Sequence, residues 1–88
     1  MTPEEQIDVG HRIRDFLRSH DYNQADAARE FSKRSGISFG AAQTKIHRII
    51  KGKFESNMDF LAYLYERFEA NIGFLITGLG SPHVKPLK

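Results

Sequence analysis

Residues 38–53 read S-F-G-A-A-Q-T-K-I-H-R-I-I-K-G-K, and this stretch decides the fold. Its apolar side chains at positions 42, 46, 49 and 50 recur at the three-to-four-residue spacing that places them on one face of an α-helix. Ser38 is a favourable N-cap, and Gly52 is a favourable residue for ending a helix. The stretch therefore predicts a helix over residues 39–51 whose apolar face is buried against other helices.

Capping signals on either side of this stretch predict four more helices. Thr2-Pro3-Glu4-Glu5 has the pattern of a capping box, so a first helix runs from there to about Ser19. Asn23 with Asp26 starts a second helix that Gly36 ends, Ser56 with Asp59 starts a fourth, and Asn71 starts a short fifth that ends at Thr77-Gly78. No segment alternates in the manner of a β-strand. The sequence predicts an all-α domain over residues 1–80 and a short C-terminal tail over residues 81–88.

Apolar periodicity also predicts which side chains form the core of this domain. The first helix contributes one apolar stripe, and each later helix adds a stripe that faces it. The predicted core residues are Val9, Ile13, Phe16 and Leu17; Ala27, Ala28 and Phe31; Ala42, Ile46, Ile49 and Ile50; and Met58, Leu61, Leu64 and Phe68.

Charge is concentrated in one part of the chain, although the net charge is only +2. Residues 31–54 hold six basic side chains and no Asp or Glu, whereas residues 1–30 hold seven acidic and four basic ones. Residues 55–70 hold four acidic side chains and one basic one. A solvated face usually mixes both signs, so the acid-free segment favours contact with a polyanion such as nucleic acid.

The polar side of the helix over residues 39–51 carries groups that suit base edges. Gln43, Thr44, His47, Arg48 and Lys51 fall opposite the apolar face. Gln pairs with adenine, Arg pairs with guanine, and Thr offers a hydroxyl and a methyl group. Any exposed helix face can carry such residues one at a time, but an acid-free set on a short helix directly after another short helix favours DNA reading.

Three stretches resemble one family of DNA-binding proteins. The chain is similar to the Cro/cI (Xre) class of phage and bacterial repressors in three stretches that follow in the family's order. They are Asn23-Gln24-Ala25-Asp26-Ala27-Ala28, residues 46–53 (I-H-R-I-I-K-G-K) and residues 71–80 (N-I-G-F-L-I-T-G-L-G). The resemblance implies a compact five-helix lambda-repressor-like bundle that contains a helix-turn-helix. It departs from the family between Ala28 and Ile46, which are eighteen residues apart where compact members have about ten. Helix 2, the turn, or both must therefore be longer.

The resemblance also implies a role for each residue that matches the family's pattern. Gln24 corresponds to the family's glutamine that binds a DNA phosphate and supports the residues that contact bases. Lys51 and Lys53 correspond to residues that contact phosphates just after the recognition helix, the helix that enters the major groove. We expect base reading by Gln43, Thr44, His47 and Arg48, and phosphate contacts by Gln24, Lys45, Lys51 and Lys53.

The fifth helix carries the expected dimer interface. Phe74, Leu75 and Ile76 are consecutive apolar residues on a helix of barely two turns, so at least one of them should stay exposed in a monomer. A homodimer would present two recognition helices to an inverted-repeat operator. The alternative is that all three residues pack under the tail, with Val84 and Leu87 as the cover.

These features predict a dimeric repressor that binds double-stranded DNA, is of phage or mobile-element type, and acts by occupying its operator. The alternative is an antitoxin-type module that binds a partner protein first and DNA second; an unidentified toxin or antirepressor would be that partner. We expect no enzymatic activity, cofactor or metal, because the chain has no Cys, its four His residues are scattered, and it has no catalytic motif. With no long apolar run we expect a cytoplasmic protein, and the resemblance to bacterial repressors implies a location at the bacterial nucleoid.

Overall fold

The computed structural model describes residues 1–53 and 57–84, and over these ranges the chain forms five α-helices. They are α1 (Pro3–Ser19), α2 (Gln24–Ser35), α3 (Phe39–Ile50), α4 (Met58–Phe68) and α5 (Ile72–Thr77). No strand forms among the described residues, and a single isolated β-bridge pairs Ala70 with His83. The predicted all-helical fold is confirmed. The predicted cap Ser56, and residues 85–88 of the predicted tail, lie outside the described residues.

Side-chain caps explain where α1, α2 and α3 begin. Thr2 Oγ1 accepts a hydrogen bond from the Glu5 amide, and the Glu5 carboxylate accepts one from the Thr2 amide. The same reciprocal box forms between Asn23 and Asp26 at the start of α2. Ser38 Oγ accepts from the amide of Ala41, 3.1 Å away, at the start of α3. These caps bind amide groups that would otherwise lack helical partners, and they were predictable from the sequence.

The connection between α2 and α3 is short, and α2 is correspondingly long. The helix continues to Ser35, and Gly36 ends it with a φ of 74°, in the left-handed region that glycine adopts without strain. Ile37 and Ser38 complete a three-residue connection to α3, and Ser32 Oγ donates a hydrogen bond to the Ile37 carbonyl. The added length between Ala28 and Ile46 therefore lies in the helix.

The core matches the predicted apolar stripes with one exception. Every predicted core residue of α1, α2 and α3 is buried, as are Leu61, Leu64 and Phe68 of α4. Met58 is 69% exposed, so its predicted place in the core is wrong. The buried stripe of α4 is centred on Phe60 and Leu64, both fully buried, and it leaves the first residue of that helix facing solvent.

Helix α1 approaches α3 closely at Gly10. A Cβ atom at this position would lie 2.6 Å from the carbonyl oxygens of both Ile49 and Ile50. Such a separation is shorter than side chains allow, so only glycine permits this contact between the two helices. The contact sets the depth at which α3 sits on the domain.

Two polar clusters hold the other helices in place. The Glu30 carboxylate of α2 accepts hydrogen bonds from Tyr63, Tyr22 and Arg67, which link it to α4 and to the α1–α2 connection. Burial alone would raise the pKa of Glu30, but these donors outweigh burial and hold that pKa below its usual value. On α1, Arg12 donates to the carbonyl oxygens of Leu75 and Ile76, both 2.8 Å away, which fastens the end of α5 to α1.

Candidate nucleic-acid interface

The exposed face of α3 consists of two rows of residues, and successive members of each row are four positions apart in the sequence. Phe39, Gln43 and His47 form one row, and Gly40, Thr44 and Arg48 form the other. All six are exposed, and α3 contains no acidic residue. The predicted base-reading residues Gln43, Thr44, His47 and Arg48 therefore share one surface, which we call the α3 face.

Burial on the opposite side fixes the direction in which the α3 face points. Ala42, Ile46, Ile49 and Ile50 are at most 6% exposed, so α3 cannot turn about its axis without exposing them. Burying each large side chain of this kind contributes about 1.5–3 kcal/mol. The α3 face is thus presented on a rigid helix.

Two lysines continue the α3 face beyond the end of the helix. Lys51 and Lys53 are exposed and flank Gly52, whose φ of 94° turns the chain. The turn is held by hydrogen bonds from the Gly52 amide to the Ile49 carbonyl and from the Lys53 amide to the Arg48 carbonyl. Two of the three lysines predicted to contact phosphates therefore lie at the same end of α3.

A cleft beside α3 brings Gln24 and Gln43 together. It has a volume of about 400 Å³, and α1, the first turn of α2, α3 and the α1–α2 connection all line it. Arg14 and Arg18 of α1 lie in the same cleft, and Arg14 also pairs with Asp15 at 3.2 Å. Gln24 and Gln43 therefore line one cleft, and the role of Gln24 in DNA binding stays a prediction.

Arg14 and Arg18 were missed at the sequence level. The net charge of residues 1–30 is negative, so summing charge over that segment concealed the two arginines. Their four-residue spacing on α1 gave a signal, since residues four apart on a helix share a face. The folded chain adds these two basic groups to those of residues 31–54.

Lys45 lies at the other side of α3 and is engaged within the molecule. Its ammonium group pairs with the Asp59 carboxylate of α4 at 2.8 Å, and it lies 5.7 Å from the centre of the Phe31 ring. The hydrogen bond from Lys45 lowers the pKa of Asp59. Lys45 lines a cleft of about 430 Å³ with Thr44, Arg48 and Lys53, and a DNA phosphate there would have to compete with Asp59 for its ammonium group.

The three apolar residues predicted to form a dimer interface differ in their exposure. Leu75 is fully buried within the monomer, so its side chain is not available to a second copy in this conformation. Phe74 and Ile76 are only partly buried. A short helix turns one side toward its own core, and here that side is Leu75. Val84 is 44% exposed, and Leu87 lies outside the described residues.

Two of the scattered histidines meet in the folded chain. The Nε2 atoms of His20, at the end of α1, and His83 lie 2.9 Å apart, within hydrogen-bond distance. His20 also packs against Phe16 and Phe68. Burial, followed by the positive charges of His83 and Arg67, lowers the pKa of His20. Over residues 1–53 and 57–84, no three His, Cys, Asp or Glu side chains cluster in a way that could hold a metal ion.

Comparison of the chain with protein-family models, with curated proteins and with solved structures finds no match. Among the described helices, none combines the length and the apolar character needed to cross a membrane.

Proposed function

We propose that this chain is a sequence-specific regulator of transcription that binds double-stranded DNA with α3 in the major groove. In this proposal α2 and α3 form a helix-turn-helix unit of a lambda-repressor-like bundle. The observation that carries the proposal is the α3 face, an exposed and acid-free surface with an amide, a hydroxyl, an imidazole and a guanidinium group. Base edges in the major groove present the complementary donors and acceptors.

Basic groups at both edges of the α3 face support this orientation on DNA. Arg14 and Arg18 line the cleft on one side, and Lys51 and Lys53 follow the end of α3. The two sugar-phosphate strands border the major groove, so cations at both edges of a reading helix fit its walls. Gln24, at the first position of α2, is placed beside Arg14, where a phosphate would also meet the positive end of the helix dipole.

The proposal includes a homodimer that represses by occupying an inverted-repeat operator. A single helix reads few base pairs, and a symmetric pair doubles that number. Phe74 and Ile76 are the residues of α5 that a second copy can contact, because Leu75 is buried. A dimer that reads two half-sites one duplex turn apart must hold its two α3 helices about 34 Å apart.

Selection from a library of random duplexes tests this proposal. The purified chain is expected to enrich one motif arranged as an inverted repeat. A variant in which both exposed residues Gln43 and Arg48 are replaced by Ala serves as the matched control, with circular dichroism to verify that it is folded. This variant should enrich a degraded motif or none. Recovery of only random sequences by the wild-type chain at every salt concentration tested would refute the proposal.

A further inference from the structure

Phe39 is the one large apolar side chain of α3 that solvent reaches, with 40% of its surface exposed. It is the first residue of the helix, and it shares a row with Gln43 and His47 on the α3 face. The core does not require this placement, because the buried stripe of α3 consists of other residues. Phe39 therefore places an apolar surface beside the polar groups of the α3 face.

The residues around Phe39 allow a close approach to a flat surface. Gly40 follows it and has no other group within 4 Å of the position of a Cβ atom, and Ala41 is exposed. The first turn of α3 therefore has no long side chain except Phe39. Ser38 fixes the direction of this turn through its hydrogen bond to the Ala41 amide. Polar groups begin only at Gln43.

Charge near Phe39 suits a ligand that carries phosphates. Phe39 lies in a cleft of about 350 Å³ with Arg29, Ser32 and Lys33 of α2. Arg29 pairs with Asp26, and Lys33 is exposed. A cationic group beside an apolar one matches a DNA groove, where charged phosphates border the base edges.

From these contacts we infer that Phe39 is a specificity-determining residue that recognises the C5-methyl group of a pyrimidine in the major groove. This methyl is the apolar group that base pairs present there, on thymine or on a methylated cytosine. The inference rests on the proposed function and deepens it. The α3 face then has two parts, in which the first turn detects a methyl group and the residues from Gln43 onward read hydrogen-bonding edges.

Single-atom changes in the DNA test this inference. In the duplex recovered by library selection, each thymine is replaced in turn by deoxyuridine, which removes only the C5-methyl group. In a second series, each cytosine is replaced by 5-methylcytosine. Dissociation constants are measured for the wild-type chain, for Phe39→Ala and for Phe39→Leu, with circular dichroism to verify that each variant is folded.

The wild-type chain should lose affinity about fourfold at one or more thymines, or gain about fourfold at a methylated cytosine, which corresponds to one buried methyl group. The affinity of Phe39→Ala should not change when that same methyl group is removed or added. Phe39→Leu should keep part of the wild-type change in affinity, and the control Gln43→Ala should keep all of it. Equal methyl sensitivity in Phe39→Ala and wild type, or no sensitivity in wild type, would overturn the inference while leaving selective DNA binding intact. Absence of selective binding to any duplex would instead overturn the proposed function, and the inference with it.

Discussion

Replacing Gly10 with Ala tests the contact that positions α3. The new Cβ atom would lie 2.6 Å from the carbonyl oxygens of Ile49 and Ile50, whereas real Cβ atoms essentially never come closer than 3.0 Å to such neighbours. Both oxygens belong to the backbone, so no side-chain rotation can relieve the clash. Helix α1 must move away from α3, which loosens the packing of Val9 and Ile13, both fully buried.

Two opposing effects set the size of this change. Ala favours a helix over Gly by about 1 kcal/mol, and an added methyl group in a well-packed core costs about 1–3 kcal/mol. The difference between these effects is a net cost of up to about 2 kcal/mol, and because both clashing atoms belong to the backbone we expect the free energy of unfolding to fall by close to that upper value. For a domain of this size, that corresponds to a fall in Tm of roughly 8–16 °C.

Urea and thermal unfolding, followed by far-UV circular dichroism, measure both quantities. Gly40→Ala is the matched control, because it makes the same substitution in α3 where, beyond the adjacent residues and the helix's own backbone, no atom lies within 4 Å of the new Cβ. The control should be as stable as the wild type or more stable by up to about 1 kcal/mol. If Gly10→Ala proved as stable as Gly40→Ala, the close contact between α1 and α3 would be wrong.

Three further predictions concern DNA affinity, pH and association. Log–log plots of the DNA-binding constant against salt concentration should have a slope of about −0.9 per phosphate contacted, with roughly four to eight contacts per dimer. Lys51→Ala or Lys53→Ala should weaken binding to all duplexes alike and make this slope shallower, because phosphate contacts carry no base identity. An unchanged slope in these variants would contradict the electrostatic reasoning. Because the pKa of His20 in the folded chain is below its usual value near 6.5, its contribution to stability is complete above about pH 6.5 and is lost as the pH falls through the lowered pKa. Urea unfolding at a series of pH values should show this loss, and His20→Gln should reduce it. In sedimentation experiments the wild type should be a dimer, and Ile76→Asp should be a folded monomer. Leu75→Asp should instead unfold the chain, because it places a charge in the core. A wild-type monomer at tens of micromolar would remove the preformed dimer from the proposal.

Helix boundaries and the core were largely predictable because they depend on local signals. The caps at Thr2, Asn23, Ser38 and Asn71 each bind an amide three residues later in the chain, and that spacing is visible in the sequence. Apolar periodicity identified the buried stripe of α3 for the same reason. Met58 was misassigned because several stripes can be drawn through the apolar residues of α4, and the one that packs inward is centred on Phe60 and Leu64.

Contacts between distant residues were not predictable in this way. The close approach at Gly10, the bonds from Arg12 to α5 and the meeting of His20 with His83 each join residues at least 39 positions apart. Such pairings depend on how the helices pack, and one sequence does not specify them. The same holds for the candidate site. The α3 face followed from helical geometry, whereas the addition of Arg14 and Arg18 and the pairing of Lys45 with Asp59 required the fold.

The central claim is that the α3 face reads base sequence, and affinities for single-base-pair variants of the selected duplex test it most directly. Affinities of the wild type, Gln43→Ala, Arg48→Ala and Lys53→Ala are compared over the selected duplex and all of its single-base-pair variants. We expect the Gln43 and Arg48 substitutions each to cost about 1–3 kcal/mol on the best site and to abolish discrimination at particular base pairs, and Lys53→Ala to weaken every duplex by the same factor. An unchanged pattern of base preference in both Gln43→Ala and Arg48→Ala would contradict the claim that α3 reads DNA through this face.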